Sequence, residues 1–312
     1  MDVAGNASAW SQINVTIDKT VATPILTLAN DTGVSPTDGV TSDASINVSG
    51  LEAGGKWDYS LDGGQTWTHG SGTSISGSML SEGTNHVTVQ QTDAAGNQST
   101  NTIDVVKDSV VAQPSIGALE NGKLTIGNLE SGAAWDYSLN GGTTWIHGTG
   151  TDLPIEAVSV GNSQLTVRQT DAAGNQAMAS LNVVRGTDAA DVVNAPAGGG
   201  VLIGGGGPDA FTFSSQSRGT FVLPDYEMLP GHTVQDIERI DFSDLTEPPD
   251  IYAHPEKWIQ MLNENGHTVA RFDFDNQGDF SNPELTLILP QVDQTIWITW
   301  GGTGFFNPGP TH

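Results

Sequence analysis

WDYSLDGGQTWTHGSGT at residues 57–73 returns as WDYSLNGGTTWIHGTGT at residues 135–151. The offset is 78 residues, and 13 of the 17 positions are identical. The same offset lays RQTDAAGNQ (168–176) on QQTDAAGNQ (90–98), with no gap between the two blocks. Self-similarity at a fixed period marks a copied domain. Within each copy apolar and polar residues alternate, as in Trp57-Asp58-Tyr59-Ser60-Leu61, Val87-Thr88-Val89 and Ile103-Asp104-Val105. Alternation at period two is the signature of a half-buried strand. Asp62-Gly63-Gly64 and Asn140-Gly141-Gly142 supply residues that accept positive φ in a hairpin turn. Ala95-Gly96-Asn97 and Ala173-Gly174-Asn175 do the same for the last hairpin of each copy.

About seven short strands per copy, with turns every ~8–12 residues, predict an immunoglobulin-like sandwich. The copies run over 21–107 and 108–185. A partial third copy opens the chain: Asp2-Val3-Ala4-Gly5-Asn6 matches Asp93–Asn97, and Ile13–Ile17 reads as a closing strand. Residues 1–20 are therefore expected to end an upstream repeat, and the chain to be a monomeric segment of a longer one. Trp57, Tyr59 and Trp67, with Trp135, Tyr137 and Trp145, are expected to pack the sheets together. His69 and His147 recur at matching positions and are expected on the hairpin surface.

Asp and Glu number 36 against 10 Lys and Arg, a formal net charge of -26. Nucleic-acid binding needs a cationic footprint, so that class is excluded. Hard cations such as Ca²⁺ want oxygen ligands, which this composition supplies; the alternative is that surface acid serves solubility. The chain has no cysteine, so no disulfide braces the fold. No apolar run approaches the ~20 residues of a membrane helix, and no transmembrane segment is expected. No basic stretch followed by an apolar core stands at the N-terminus, so an export address is expected elsewhere.

Asp31, Asp38 and Asp43 fall in one loop, DTGVSPTDGVTSD (31–43), which contains no basic residue. Carboxylates crowded in a short loop repel unless a cation sits among them; the competing reading is a turn-rich loop whose Asp side chains accept local hydrogen bonds. In a sandwich of this kind the loop after the first strand lies at the far end and the last hairpin turn at the near end. Asp31, Asp38 and Asp43 are thus expected to approach Asp108 of the linker and Asp171 of the next repeat's last turn, and Asp93 to approach Asp18. The second repeat has Ser115–Gly122 in place of the acidic loop, which predicts a different joint beyond it.

The 31–43 pattern, the WDYSLDGG block and the TDxAGN turn, in that order, resemble the immunoglobulin-like repeats of giant type I-secreted bacterial adhesins. The resemblance covers roughly 1–185. It implies tandem extracellular domains with calcium at their joints, a secreted or cell-surface location, and a surface target on a host cell, a biofilm matrix or a glycan, bound in such proteins by other domains.

From Gly186 the text reads GTDAADVVN, APAGGGVLI, GGGGPDAFTF. Cut at nine residues, 186–213 resembles degenerate calcium-binding nonapeptide repeats of the repeats-in-toxin kind. In a β-roll successive turns alternate sides, so Asp191 and Asp209 fall on one side and are the candidate ligands. A glycine-rich connector is the alternative. Asp225–Leu245 resembles the segment that follows such repeats in type I secretion substrates, and the resemblance implies that 214–312 is a secretion-linked β domain with the type I machinery as a partner. Pro255–Glu264 reads as a helix, with Pro at its start and Gly266 near its end. Asp273-Phe274-Asp275-Asn276-Gln277-Gly278 followed by Glu284 matches calcium-loop spacing apart from Gln277. Its flanks, Thr268–Phe272 and Leu285–Leu289, read as strands. The expected class is all-β: tandem immunoglobulin-like sandwiches, a short β-roll-like segment and a β-rich C-terminal domain with one helix.

No H-E-x-x-H, no G-x-S-x-G and no phosphate-binding glycine loop occurs, so no enzyme is expected. The alternative function is a glycan-binding module in the C-terminal domain, with Trp258, Trp297, Trp300, Phe305 and Phe306 as stacking surfaces.

Overall fold

The computed structural model describes residues 3–5, 7, 11–120, 122–226, 238–275, 280–290, 296–300 and 304–306. The chain divides into two compact units. The first is Met1–Val110 with the turn Asp171–Asn175, and the second is Val111–Thr170 with Gln176–His312.

The described residues of the first unit form the strands β1 (Ile25–Leu28), β2 (Val40–Thr41), β3 (Ile46–Ser49), β4 (Lys56–Ser60), β5 (Thr68–His69), β6 (Ser74–Ile75), β7 (Gly83–Thr92) and β8 (Gln98–Lys107). They form two sheets, β1-β3-β6 and β2-β8-β7-β4-β5. The alternation sets which side chains face inward. Ile46 and Val48 of β3, Trp57 and Tyr59 of β4, Val87 and Val89 of β7 and Val105 of β8 are buried in one cluster. Each such aliphatic side chain contributes about 1.5–3 kcal/mol when fully buried. Trp67 departs from expectation. It is 41% exposed, and its Nε1 donates to Gly64 O at 3.1 Å, so it covers the hairpin turn instead of the core. The short strand β2 pairs in parallel with β8 and forms the edge of its sheet. Ile13–Ile17 carries no strand pairing among the described residues, and Ile13, Val15 and Ile17 are exposed.

The second unit begins with the same plan: β9 (Ser115–Glu120), β10 (Lys123–Gly127), β11 (Ala134–Ser138), β12 (Ile146–His147), β13 (Asp152–Pro154), β14 (Gly161–Thr170) and β15 (Gln176–Arg185). It then continues through β16 (Val192–Asn194), β17 (Gly200–Ile203), β18 (Ala210–Thr212), β19 (Gly219–Val222), β20 (Arg239–Asp241), β21 (Ile259–Glu264), β22 (His267–Phe272), β23 (Leu285–Leu289), β24 (Ile298–Trp300) and β25 (Gly304–Phe306). β17, β19 and β23 add in parallel to β15, giving the nine-stranded order β12-β11-β14-β15-β17-β19-β23-β22-β21. A facing five-stranded sheet runs β16-β18-β20-β24-β25, parallel up to β24. This alternation of short parallel strands between two sheets is a roll. Its interior is filled by Leu202, Phe211, Phe213, Phe221, Tyr226, Ile240, Phe242, Phe272 and Leu287, all fully buried.

The expected helix over Pro255–Glu264 is not formed. Pro255–Lys257 makes a single 3-10 turn, and Ile259–Glu264 is the strand β21. The cause lies in the last two residues before β22. Asn265 and Gly266 adopt positive φ of 52° and 83°, the two-residue hairpin turn that Asn-Gly favours, and Ile259 and Met261 alternate inward at period two. Among the described residues no helix is long and apolar enough to cross a membrane.

Candidate metal sites

The acids of the first unit act mainly as local caps. Asp31 Oδ2 accepts from Gly39 N at 3.1 Å, Asp38 Oδ1 from Val40 N at 3.0 Å, and Asp43 Oδ1 from Ser45 N at 3.2 Å. Asp108 Oδ1 accepts from Val110 N at 3.3 Å, and Asp18 Oδ1 from Thr20 N at 3.2 Å. Asp93 and Asp171, both buried, close their own turns by accepting from Asn97 N and Asn175 N at 2.8 Å. The Asn97 side chain on Asp93 holds that carboxyl below its ordinary range. The turns also hold the linkers: Asn175 Nδ2 donates to Asp108 O at 2.8 Å, and Asn97 Nδ2 to Asp18 O at 3.3 Å. Among the described residues, however, the structure gathers no three of these acids with ligand atoms within 4.8 Å of one another. One atom stands apart, since Asp31 Oδ1 is buried without a hydrogen-bond partner among the described residues.

In the roll, the turn 204–209 stacks on the turn 186–191. Gly206 N donates to Thr187 O and Ala210 N to Asp191 O, both at 2.9 Å. The stack is tight because both turns are short of side chains: a Cβ on Gly204 would collide with Asp209 Oδ2, and one on Gly205 with Thr187 O. Asp191 Oδ2 accepts from Thr187 N at 2.6 Å and from Thr187 Oγ1 at 2.7 Å, which holds this carboxyl below its ordinary range. Asp209 is fully buried. Its Oδ1 accepts from Asp191 N at 2.8 Å, and its Oδ2 is without a hydrogen-bond partner among the described residues. Burial raises the Asp209 pKa, and the nearby Asp191 and Asp225 carboxylates push it the same way. An ionised, unsatisfied carboxylate in such a place is costly unless a cation or a proton joins it. The stacking of the two turns, with Asp191 N on Asp209 Oδ1, places Asp191 and Asp209 side by side. Asp225 caps the same turn from the next rung, its oxygens accepting from Gly204 N at 3.2 Å and Gly205 N at 2.8 Å, but the three carboxylates do not all bring ligand atoms within 4.8 Å of one another. Sequence reasoning missed Asp225, although an aspartate two residues after the apolar run Phe221-Val222-Leu223 was the available signal.

The third group is Asp273, Asp275 and Glu284, which offer ligand atoms all within 4.8 Å of one another. Strands β22 and β23 pair antiparallel and bring the two ends of the loop together. Asp273 is buried, Glu284 is half-buried and Asp275 is exposed. Phe274 N donates to Glu284 Oε2 at 2.9 Å. Phe274 packs on Phe272 and against Phe242 and Trp300, which anchors the loop on the core. Gln277 and Gly278 lie outside the described residues, as does 227–237 of the segment that resembles secretion substrates.

The stacking surfaces proposed for a glycan are mostly core. Trp300 is buried, 4.8 Å from the Phe242 ring. Trp258 is buried, with its Nε1 donating to Asp250 Oδ1 at 2.7 Å. Trp297 is half-buried, and the side chains of Phe305 and Phe306 lie outside the described residues. Apolar rings that complete a roll interior are not free to cover a sugar. A surface hollow of about 380 Å³ beside Trp135 is walled by Glu130, His147 and small residues. Glu130 Oε1 there accepts from Ala112 N at 2.6 Å, and His147 Nδ1 pairs with Asp136 at 3.2 Å.

No protein-family model matches the chain, and no curated protein matches it. Among solved structures it is similar to the fibronectin(III)-like modules of Clostridium thermocellum CbhA, with 13% identity over 51% of this chain and 93% of that one and a TM-score of 0.31. It is similar to a Ca²⁺-stabilized adhesin that helps an Antarctic bacterium reach out and bind ice, with 18% identity over 58% of this chain and 53% of that one and a TM-score of 0.29. A 1.5-MDa bacterial ice-binding adhesin gives 17% identity over 56% of this chain and 70% of that one, with a TM-score of 0.27. The all-β, sandwich-and-roll assignment rests on the strand order and register of this chain itself.

Proposed function

We propose that the chain is a structural, calcium-braced segment of a secreted bacterial surface adhesin, and that it has no catalytic role. Support comes from duplicated sandwiches, a net charge of -26 and the absence of cysteine, which leaves metal as the available brace. The observation that carries the calcium part is Asp209. A fully buried carboxylate with an orphaned oxygen, in a cradle that only glycine leaves open, fits a hard cation. Asp191 and Asp209 would hold it there, with Asp225 adding negative charge; Asp273, Asp275 and Glu284 would hold another. A bound ion supplies attraction between turns that otherwise repel. It would stabilise the folded roll by mass action, about 2.7 kcal/mol when calcium stands at 100 times its Kd.

The role of the first-unit acids, Asp18, Asp31, Asp38, Asp43, Asp93, Asp108 and Asp171, in stiffening repeat joints belongs to the same proposal, as do export by type I secretion and an adhesive target bound elsewhere in the parent protein. Isothermal titration of the whole chain tests the central claim. Calcium uptake that falls by at least one site in Asp209→Asn supports it. No uptake at millimolar calcium overturns it. The glycan reading has no comparable support, because Trp258 and Trp300 are inside the fold.

A further inference from the structure

Asp-Ala-Ala-Gly-Asn occurs at 93–97 and again at 171–175. Both turns are built alike. In each, Asp Oδ1 accepts from the Asn backbone N–H at 2.8 Å, and Asn Nδ2 donates to Asp Oδ2, at 2.7 Å in the first and 2.8 Å in the second. Each also fastens the linker before its own repeat, through Asp18 O and Asp108 O respectively.

They differ in what meets the tip. Within the first unit the 171–175 turn is seated on residues 32–34. Val34 N donates to Ala172 O at 3.2 Å, and Thr32 Oγ1 donates to Ala173 O at 2.7 Å. The fit is main chain on main chain. A Cβ on Gly33 would collide with the Ala172 carbonyl, and one on Gly174 would come within 2.9 Å of Gly33 Cα. At the other copy Ala94, Ala95 and Gly96 are exposed, and a Cβ on Gly96 would meet nothing within 4 Å among the described residues.

We propose that the 93–97 turn is a docking plug for the 31–43 loop of a second copy of the first repeat. The seated turn shows what the partner must be, since its five residues and its internal bonds are the same. The second repeat lacks that loop, and the single loop in this chain already holds the 171–175 turn, so the partner loop comes from another repeat. Gly33 is the specificity-determining residue of the seat. The seat uses carbonyls, one amide and one hydroxyl, so it forms without a metal ion. The inference rests on reading the chain as part of a tandem array but not on calcium.

The test duplicates residues 21–110 in the full chain, so that 1–110 is followed by 21–312 and the natural linker is kept. Hydrogen exchange of the two Val34 amides is followed by NMR, in calcium and in chelator. Both Val34 amides are expected to be slow. Gly33→Val in the added copy alone should speed that copy's Val34 by about tenfold or more and leave the other unchanged. Asn97→Ala in the following repeat, which opens the plug and leaves the loop intact, should have the same effect. If the added copy's Val34 exchanges freely in both conditions while the other is slow, the proposal is overturned and the calcium reading stands. If both are slow and no calcium is taken up, calcium fails and the docking proposal stands.

Discussion

Leu202 lies in parallel register beside Val184, as Val40 lies beside Val106 in the first repeat. The match extends to the backbone. Gly186 N donates to Ile203 O at 2.8 Å, where Asp108 N donates to Thr41 O at 3.0 Å. Strand β17 of the roll therefore occupies the sheet edge that β2 holds in the first repeat. The second repeat has no acidic loop and, among the described residues, no edge strand of its own, and a strand from 15 residues beyond its end fills the gap. All four residues of β17 are buried, because one face serves the sandwich core through Val201 and Ile203 while Leu202 serves the roll core. A parallel strand covered on both faces reads as an unbroken apolar run.

Val201 is thus part of the second sandwich although it lies outside the repeat. Val201→Asp places an unpaired carboxylate in that core, at an expected cost of about 3–5 kcal/mol. Urea unfolding followed by near-UV circular dichroism should show the second unit melting early. Val40→Asp, at a half-buried position, should cost much less. Equal costs would mean that β17 does not complete the sandwich.

The Asp209 site makes a prediction of opposite sign with and without metal. Asp209→Asn replaces the orphaned oxygen by a donor facing two carboxylates. In chelator at neutral pH it should raise the Tm of the second unit by roughly a few degrees. In calcium it should lower it, because the ion loses its buried ligand. Differential scanning calorimetry in both buffers reads the crossing, and a loss of stability in both would count against a cation there.

Much of this was open to sequence reading, for reasons that also mark its limits. The duplicated sandwich was legible because strand alternation and Gly turns are local and occur twice. The pairing of Asp191 with Asp209 followed from an 18-residue spacing. The fusion through Leu202 was not legible, since the residue that fills an open edge is chosen by tertiary contact. Pro255 and Gly266 framed a plausible helix, but Asn265-Gly266 made the tighter hairpin and the alternation of Ile259 and Met261 agreed with it. Trp258 and Trp300 offered no means of telling a stacking platform from a core. Asp38 and Asp43 show the same difficulty for acids, because a carboxylate capping its own turn and one awaiting calcium look alike in a sequence.

Asp62 gives a pH prediction with an internal control. Its carboxylate accepts from Thr66 Oγ1 at 2.6 Å, Thr66 N at 2.9 Å, Ser60 Oγ at 2.7 Å and Gln65 N at 3.0 Å. These bonds, led by the Thr66 hydroxyl, lower its pKa from 3.8 to about 2. A depressed folded-state value means the contribution is present above 3.8 and is lost as pH falls through about 2. Asn140 holds the same turn in the second repeat without a titrating group, its Oδ1 accepting from Thr144 N at 2.9 Å. The amides of Gln65 and Thr66 should therefore titrate with a midpoint near pH 2, about where the folded carboxylate takes up its proton, while that of Thr144 does not. Asp62→Asn should abolish the shift. A shift that survives the substitution would assign it to another group.

The loop between β22 and β23 is the place to separate a cation site from a polar turn. Terbium is a hard trivalent stand-in for calcium that takes the same oxygen ligands, and tryptophan nearby sensitises its emission. Trp258 O accepts from Asp273 N at 3.0 Å, which puts an indole-bearing residue next to the first acid. Glu284 is the most informative residue to change. It comes from the far end of the loop, and its Oε2 already caps Phe274 N, so Glu284→Gln keeps the cap and removes one negative charge of three. Asp209→Asn is made alongside, because the roll would also take up terbium. In the Asp209→Asn background, sensitised emission should persist, be competed away by calcium, and fall by about tenfold in affinity when Glu284→Gln is added, the size of losing roughly one charged ligand interaction of 1.4 kcal/mol. Emission indifferent to Glu284→Gln would show that the three carboxylates converge for reasons of loop closure alone.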